Sequence, residues 1–317
     1  MTTFGVHLTG FDGPAFAGER LLDGVGDIAA AMEASGSLST LWLTDHMQHL
    51  GPHGPTSPMP ESYLLLSALA ARTSTLRLGM LATSVLYRQP ALLAKMATTL
   101  DNISGGRVIL GIGAGHPRTE DEVRAYGYDF PPIGERMARL ESALETIRAM
   151  VGPVAQDDAP PNWPRPVQQG GIPVLVAGSG EQRLLRIAAR HADLINLSFP
   201  SGDTLDRIPH KRDVLARHCA TVGRDPATIG VTYKAVLSIA QTSSAARANW
   251  DASQWAPFFA GTDARHGVFV GEPADVLDQL EPWLTAGIDH IVFELPGGND
   301  AKTVALAGET LANVMDR

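Results

Sequence analysis

LGMLATSVLYRQPALLAKMATTLDNISGGRVILGIGAGH, residues 78–116, decides the fold. Leu78–Leu81 is an apolar run of buried-strand length, and Ala82–Val85 leaves it with two hydroxyl side chains, Thr83 and Ser84. Pro90 stands where a first helical turn accepts proline, because the N–H it lacks has no partner in that turn. Apolar residues then recur at Leu92, Leu93, Met96, Leu100 and Ile103, the spacing of one helical face. Gly105-Gly106 ends the helix, and Val108–Ile112 is a second apolar strand that runs into Gly113-Ala114-Gly115. Strand, helix and strand in this order predict a parallel unit, and both strands exit through small or hydroxylated residues. In a parallel barrel those exits build the active face.

The alternation continues outward in both directions. Further strands are expected at Phe4–Leu8, Thr40–Thr44, Pro173–Ala177, Leu194–Leu197, Gly230–Leu237 and His290–Glu294. Helices are expected at Leu21–Ala34, Tyr63–Ala71, Ile133–Val151, Glu181–Arg190, Leu205–Val222, Ala274–Ala286 and Ala301–Val314. Eight strand–helix pairs fit a (β/α)8 TIM barrel. A doubly wound open sheet has the same alternation and stays open as the alternative. No linker divides the chain, so residues 1–317 are read as a single domain.

Two connections are long enough to carry function. Met47–Ser62 contains His49, His53 and Met59. The stretch before the Ala274 helix contains Trp250, Trp255, Phe258, Phe259 and His266, an aromatic cluster that either lines an apolar pocket or packs beneath a loop.

Composition narrows the class. Of 317 residues, 44% are hydrophobic and 19% charged, enough for a sizeable core. The net charge of −9 argues against nucleic acid and anionic membrane as partners. No apolar run approaches the ~18 residues of a membrane span. Cys219 is the single cysteine, so no internal disulfide forms, and the N-terminus lacks a secretory layout. A cytoplasmic protein acting on a small molecule is expected.

Several residues could carry chemistry. Asp45-His46 follows the second strand directly, which points the pair at the active face of a barrel; the plainer reading is a turn aspartate and a locally bonded histidine. Asp45, His46, His49 and His53 are proper metal ligands, but a loop rich in proline and glycine does not align them, so no metal is expected. Gly111–Gly115 lacks the spacing of a dinucleotide fingerprint and instead lets backbone pass close to a flat ligand. Ala177-Gly178-Ser179-Gly180 leaves a strand and opens the Glu181–Arg190 helix, whose free N–H groups suit a phosphate.

These motifs, together with LWLTDHMQHL (41–50), FPPIGERMARLESALETIR (130–148) and PVLVAGSGEQRLLRIAARHADLINL (173–197), resemble the luciferase-like family of flavin and deazaflavin oxidoreductases, in particular its coenzyme F420 branch. The resemblance implies that Asp45 lies beside the deazaflavin ring and that His46 moves the proton accompanying hydride transfer. It implies a cofactor cradle of Thr83, Ser84, Val85, Gly113, Ala114, Gly115, Ala177, Gly178, Ser179 and Gly180, with a cis peptide at Ser84–Val85. His116 and Leu50 stand where the sugar-phosphate dehydrogenases of the family have glutamate and tryptophan. That difference argues against a sugar phosphate and leaves His116 as a second acid, a polar contact or a turn residue. Gly152–Val167 is shorter than in relatives, either widening the pocket mouth or having no effect. The activity implied is reduction of a C=C or C=N bond of a small, fairly apolar substrate by reduced F420, in a homodimer. An FMN-dependent monooxygenase, an F420-dependent alcohol dehydrogenase and a non-catalytic cofactor-binding protein are the rival readings.

Overall fold

Every strand pairing among the described residues is parallel. The computed structural model describes residues 2–11, 16, 21–50, 54, 56–154, 156–198, 201–253, 255–296 and 300–315. Its strands are β1 (Thr3–Leu8), β2 (Leu38–Leu43), β3 (Arg77–Met80), β4 (Thr83–Ser84), β5 (Val108–Gly113), β6 (Val174–Ala177), β7 (Leu194–Ser198), β8 (Gly230–Ile239), β9 (Val268–Gly271) and β10 (His290–Glu294). Its helices are α1 (Leu21–Ser35), α2 (Ser62–Arg72), α3 (Pro90–Ser104), α4 (Glu120–Ala125), α5 (Ile133–Val151), α6 (Leu184–His191), α7 (Ile208–Thr221), α8 (Ser243–Ala252), α9 (Pro273–Leu284) and α10 (Ala301–Met315). The strands run β1-β2-β3-β5-β6-β7-β8-β10, and β10 pairs with both β8 and β1. That last pairing closes the sheet. The fold is the expected (β/α)8 barrel, and the open-sheet alternative is excluded. β4 lies beside the end of β5, and β9 on the outer edge of β8.

Strand alternation separates two cores. Phe4, Val6 and Leu8 of β1, Tyr233 and Ala235 of β8, and Phe293 of β10 pack outward beneath the helices. Trp42, Leu81, Ile109, Leu175 and Val292 form a separate cluster inside the barrel. Trp42 fits because its neighbour on β3 is glycine: a Cβ on Gly79 would lie 2.5 Å from the indole. Beneath it, Trp42 Nε1 donates to His290 Nε2 at 3.4 Å, and His290 Nδ1 lies 2.8 Å from Thr3 Oγ1.

Helix α3 has the expected stop, Gly105 at φ 69°, but a rotated face. Leu93, Ala94, Ala97 and Leu100 are buried, whereas Leu92 and Ile103 are exposed. The two alanines let the helix approach its neighbours closely, which hydrophobic spacing alone does not reveal.

Three expectations need correction, and one pair of alternatives is narrowed. The non-proline cis peptide is Leu81–Ala82, ahead of β4, and not Ser84–Val85. The helix after Gly180 begins at Leu184, because Glu181 is held in a turn: its carboxylate pairs with Lys211 at 2.9 Å and its carbonyl accepts from His218 Nε2 at 2.8 Å. The long stretch after β8 is not a loop but contains α8 and β9. Gly152–Val167 joins α5 to the start of β6, at the end of the barrel opposite the strand exits. Within it Asn162 and Arg165 bond the Met150 carbonyl at 3.0 and 2.9 Å, so its length has no bearing on the mouth.

Candidate active site

His46 leaves β2 toward the mouth, and its partner is a residue that sequence reasoning missed. Glu122 of α4, fully buried, places Oε2 2.8 Å from His46 Nδ1, while its Oε1 accepts the Met47 N–H at 2.5 Å. A carboxylate only accepts, so His46 Nδ1 carries the hydrogen and Nε2 is the nitrogen left to gain or lose a proton. The Tyr87 hydroxyl is buried beside the same carboxylate; burial first, and then the Glu122 charge, push its ionisation above the usual tyrosine range. Glu122 has no motif in the sequence, and only the packing of α4 over the β2 exit brings it to His46.

Asp45 has a different role from its neighbour. Both its oxygens are held by Arg88, at 2.6 and 3.2 Å, and Arg88 continues to Glu61 at 2.5 Å. The guanidinium also lies 4.6 Å from the centre of the Tyr63 ring, and the Tyr63 hydroxyl is 2.7 Å from Thr83 Oγ1. Burial raises the Asp45 carboxyl and the Arg88 charge opposes it. Thr83 is thus tied into a buried network joining β2, α2 and β4.

The cradle residues come together. Thr83 pairs with Ile112 and Ser84 with Gly113, Ile112 pairs with Val176, and Ala177 pairs with Asn196. The Val85 N–H donates to the Gly113 carbonyl at 2.9 Å. The adjacent ends of β5 and β6 therefore present Gly113, Ala114, Gly115, Ala177 and Gly178, a wall of backbone with almost no side chain. Gly115 (φ 77°) and Gly178 (φ 117°) take conformations that side chains rarely adopt. Arg136 of α5 braces this wall through the Ala114 and Gly115 carbonyls at 3.1 and 2.6 Å. Buried Lys211 of α7 braces the next loop through the Ser179 carbonyl at 2.9 Å. Neither cation carried a sequence signal, since both contact backbone.

His116 stands exposed on the rim. Its Nδ1 accepts the Arg118 N–H at 3.1 Å and caps the short turn Pro117–Thr119. Partial burial, then Arg118, Arg136 and His46, hold its ring below the usual histidine range. The aromatic cluster divides. Trp250 and Phe259 pack with Val236 and Val268, whereas Trp255 faces Lys234 at 6.0 Å and Phe258 faces Arg118 at 5.0 Å. The Phe258–Arg118 contact carries the stretch after β8 across to the His116 turn, while Trp255 lies back against β8.

A cleft of about 430 Å³ opens beside this site, reached by Asp45, His46, Met59, Tyr87, Arg88 and Tyr126. His49 is buried nearby, and His53 lies outside the described residues. Among the described residues, no group of three or more His, Cys, Asp or Glu side chains is placed to hold a metal, and no helix is long and apolar enough to cross a membrane.

Residues 1–280 match the family model described as luciferase-like monooxygenase. The chain belongs to this family. Among luciferase-like relatives, an F420-dependent glucose-6-phosphate dehydrogenase of Nocardia farcinica is 26% identical, over 90% of this chain and 92% of its own. The fold is shared with solved structures, among them two F420-dependent enzymes. One is an F420-dependent secondary alcohol dehydrogenase in complex with an F420-acetone adduct, with TM-score 0.78 and 15% identity over 99% of both chains. The other is the coenzyme F420-dependent tetrahydromethanopterin reductase of Methanopyrus kandleri, with TM-score 0.74 and 20% identity over 99% of both chains.

Proposed function

We propose that this luciferase-like chain is an F420-dependent oxidoreductase that reduces a C=C or C=N bond of a small molecule. The observation that carries the reading is the position of His46: one ring nitrogen fixed by Glu122, the other at a barrel mouth walled by the backbone of Gly113–Gly115 and Ala177–Gly178. A wall without side chains fits a flat ring system, and the braced Ser179–Gly180 turn fits a phosphate. When bound, reduced F420 supplies the hydride.

The chain's own residues do the rest. Asp45, Thr83, Ser84 and Val85 shape the floor beneath the ring, and Lys211 holds the Ser179 loop in place. His46 holds a proton at Nε2 and releases it to the atom next to the one receiving hydride, with Glu122 stabilising the imidazolium before transfer. His116, on the rim after β5, two strands round from the β2 exit, contacts the substrate. The protein works in the cytoplasm as a homodimer, for which Leu64 and Leu92, exposed on α2 and α3, offer an apolar face.

Anaerobic titration of the purified chain with reduced F420 and, separately, reduced FMN tests the reading. Tighter binding of F420 is expected. Preference for FMN, with oxygen consumption, would make the chain a monooxygenase instead.

A further inference from the structure

The half of the mouth facing away from the cofactor wall is built by β1, β8 and β10, and it is polar. Alternation puts His7 of β1, Lys234 of β8 and Glu294 of β10 inside the barrel, because Val6, Leu8, Tyr233, Ala235, Phe293 and Leu295 pack outward. Lys234 Nζ lies 2.8 Å from Glu294 Oε2, and the Thr9 hydroxyl donates to Glu294 Oε1 at 2.7 Å. Both oxygens of Glu294 therefore have a partner, and its charge offsets that of Lys234. His7 is only 2% exposed, yet among the described residues neither ring nitrogen has a hydrogen-bond partner. A buried imidazole with both nitrogens unpaired is costly unless something completes it. Burial first, then the charges of Lys234 and His46, hold His7 well below the usual histidine range, so its ring is neutral and offers one donor and one acceptor.

We infer that His7, Lys234 and Glu294 form a substrate-orienting station that takes a neutral carbonyl or hydroxyl oxygen and thereby fixes which bond lies next to His46. The inference deepens the proposed function and rests on it for the position of the cofactor. Lys234 has ammonium hydrogens beyond the one directed at Glu294, and His7 supplies either a donor or an acceptor to the same oxygen. Trp255 covers the lysine side of the station. A phosphate or carboxylate would need uncompensated positive charge, and Glu294 has already neutralised Lys234. The substrate class is thus an uncharged, oxygen-bearing unsaturated compound such as an enone, in place of a wholly apolar molecule or a sugar phosphate. His7 and Lys234 are specificity-determining residues in this arrangement.

The test uses 2-cyclohexen-1-one and glucose 6-phosphate as probes, with the full chain labelled at histidine nitrogens, both with and without reduced F420. The enone is expected to shift the His7 ring signals, and His7→Phe and Lys234→Met each to weaken its binding about tenfold, the scale of losing one hydrogen bond. Both variants should leave F420 affinity unchanged. Failure of the chain to bind F420 while the enone still shifts His7 would overturn the cofactor reading and leave the station standing. Three results would overturn the station: unmoved His7 signals at saturating enone, tighter binding of glucose 6-phosphate than of the enone, or unchanged enone affinity in His7→Phe. The ring-signal readout on the unaltered protein decides the matter should either variant fail to fold.

Discussion

His46 Nδ1 and Glu122 Oε2 lie 2.8 Å apart although 76 residues separate them in the chain. The carboxylate fixes the ring's tautomer and, through its second oxygen on the Met47 N–H, the backbone that carries the ring. In Glu122→Gln the amide keeps one of these acceptors but turns an NH2 group toward the other donor. The turnover number with reduced F420 should fall about 10- to 100-fold, the usual scale for losing such an orienting partner. KM and cofactor affinity should hold. Nitrogen NMR of His46 provides the second readout: the signature of a single Nδ1-protonated tautomer should give way to a mixture. Retention of that signature, or a change confined to KM, would show that Glu122 serves only the fold.

Arg88 holds both oxygens of buried Asp45 and supplies its countercharge. Arg88→Met should cost about 3–5 kcal/mol in urea unfolding, since an uncompensated charge remains inside. Adding Asp45→Asn should recover much of that loss. Equal stability of the single and double variants would mean that solvent reaches Asp45 once Arg88 is gone.

The Ser179 loop is expected to hold the cofactor phosphate. Ser179→Trp should abolish F420 binding, read by fluorescence titration, with little change in the thermal midpoint. Lys211→Met, which frees the Ser179 carbonyl, should weaken binding by a smaller factor. Undiminished affinity in both variants would remove this loop from the cofactor site.

His290 gives the fold a defined response to acid. Burial first, then the Arg77 charge, lower its ring from the usual 6.5 to about 4. Trp42 donates to its Nε2, so the neutral form is the one the core accepts. Between pH 6.5 and about 4 the unfolded chain binds a proton here that the folded chain refuses, and stability therefore falls as pH drops through that window. His290→Gln should flatten the acid limb of a stability-versus-pH curve by about one proton. An unchanged slope would place the acid sensitivity elsewhere, with His7 the next residue to replace.

Much of this could be read from residues in order. The alternation of apolar runs with helical spacing gave eight strands and their helices because burial on both faces of a parallel strand requires continuous apolar sequence. Ile133–Val151 and His290–Glu294 have the expected limits to the residue. The glycine and hydroxyl residues at strand exits were legible for the same reason: close backbone approach excludes side chains. Elements such as β9 and α8 were not legible, because the Trp250–Phe259 aromatics that pack there have no simple period.

The sequence by itself determined the alternation of parallel strands and helices, the glycine- and hydroxyl-rich strand exits and the placing of His46 just after β2, because each depends on local pattern, while closure into a barrel was decided by the pairing of β10 with β1. Only the tertiary structure decided who stands beside whom. Glu122 reaches His46, Arg88 reaches Asp45, Lys211 reaches Ser179, and His7 meets Lys234 and Glu294 because barrel closure brings β10 and β8 against β1. Charge pairing and hydrogen bonding act over ångströms in space and leave no period along the chain, so the partners of a buried polar group become visible only once the barrel has closed.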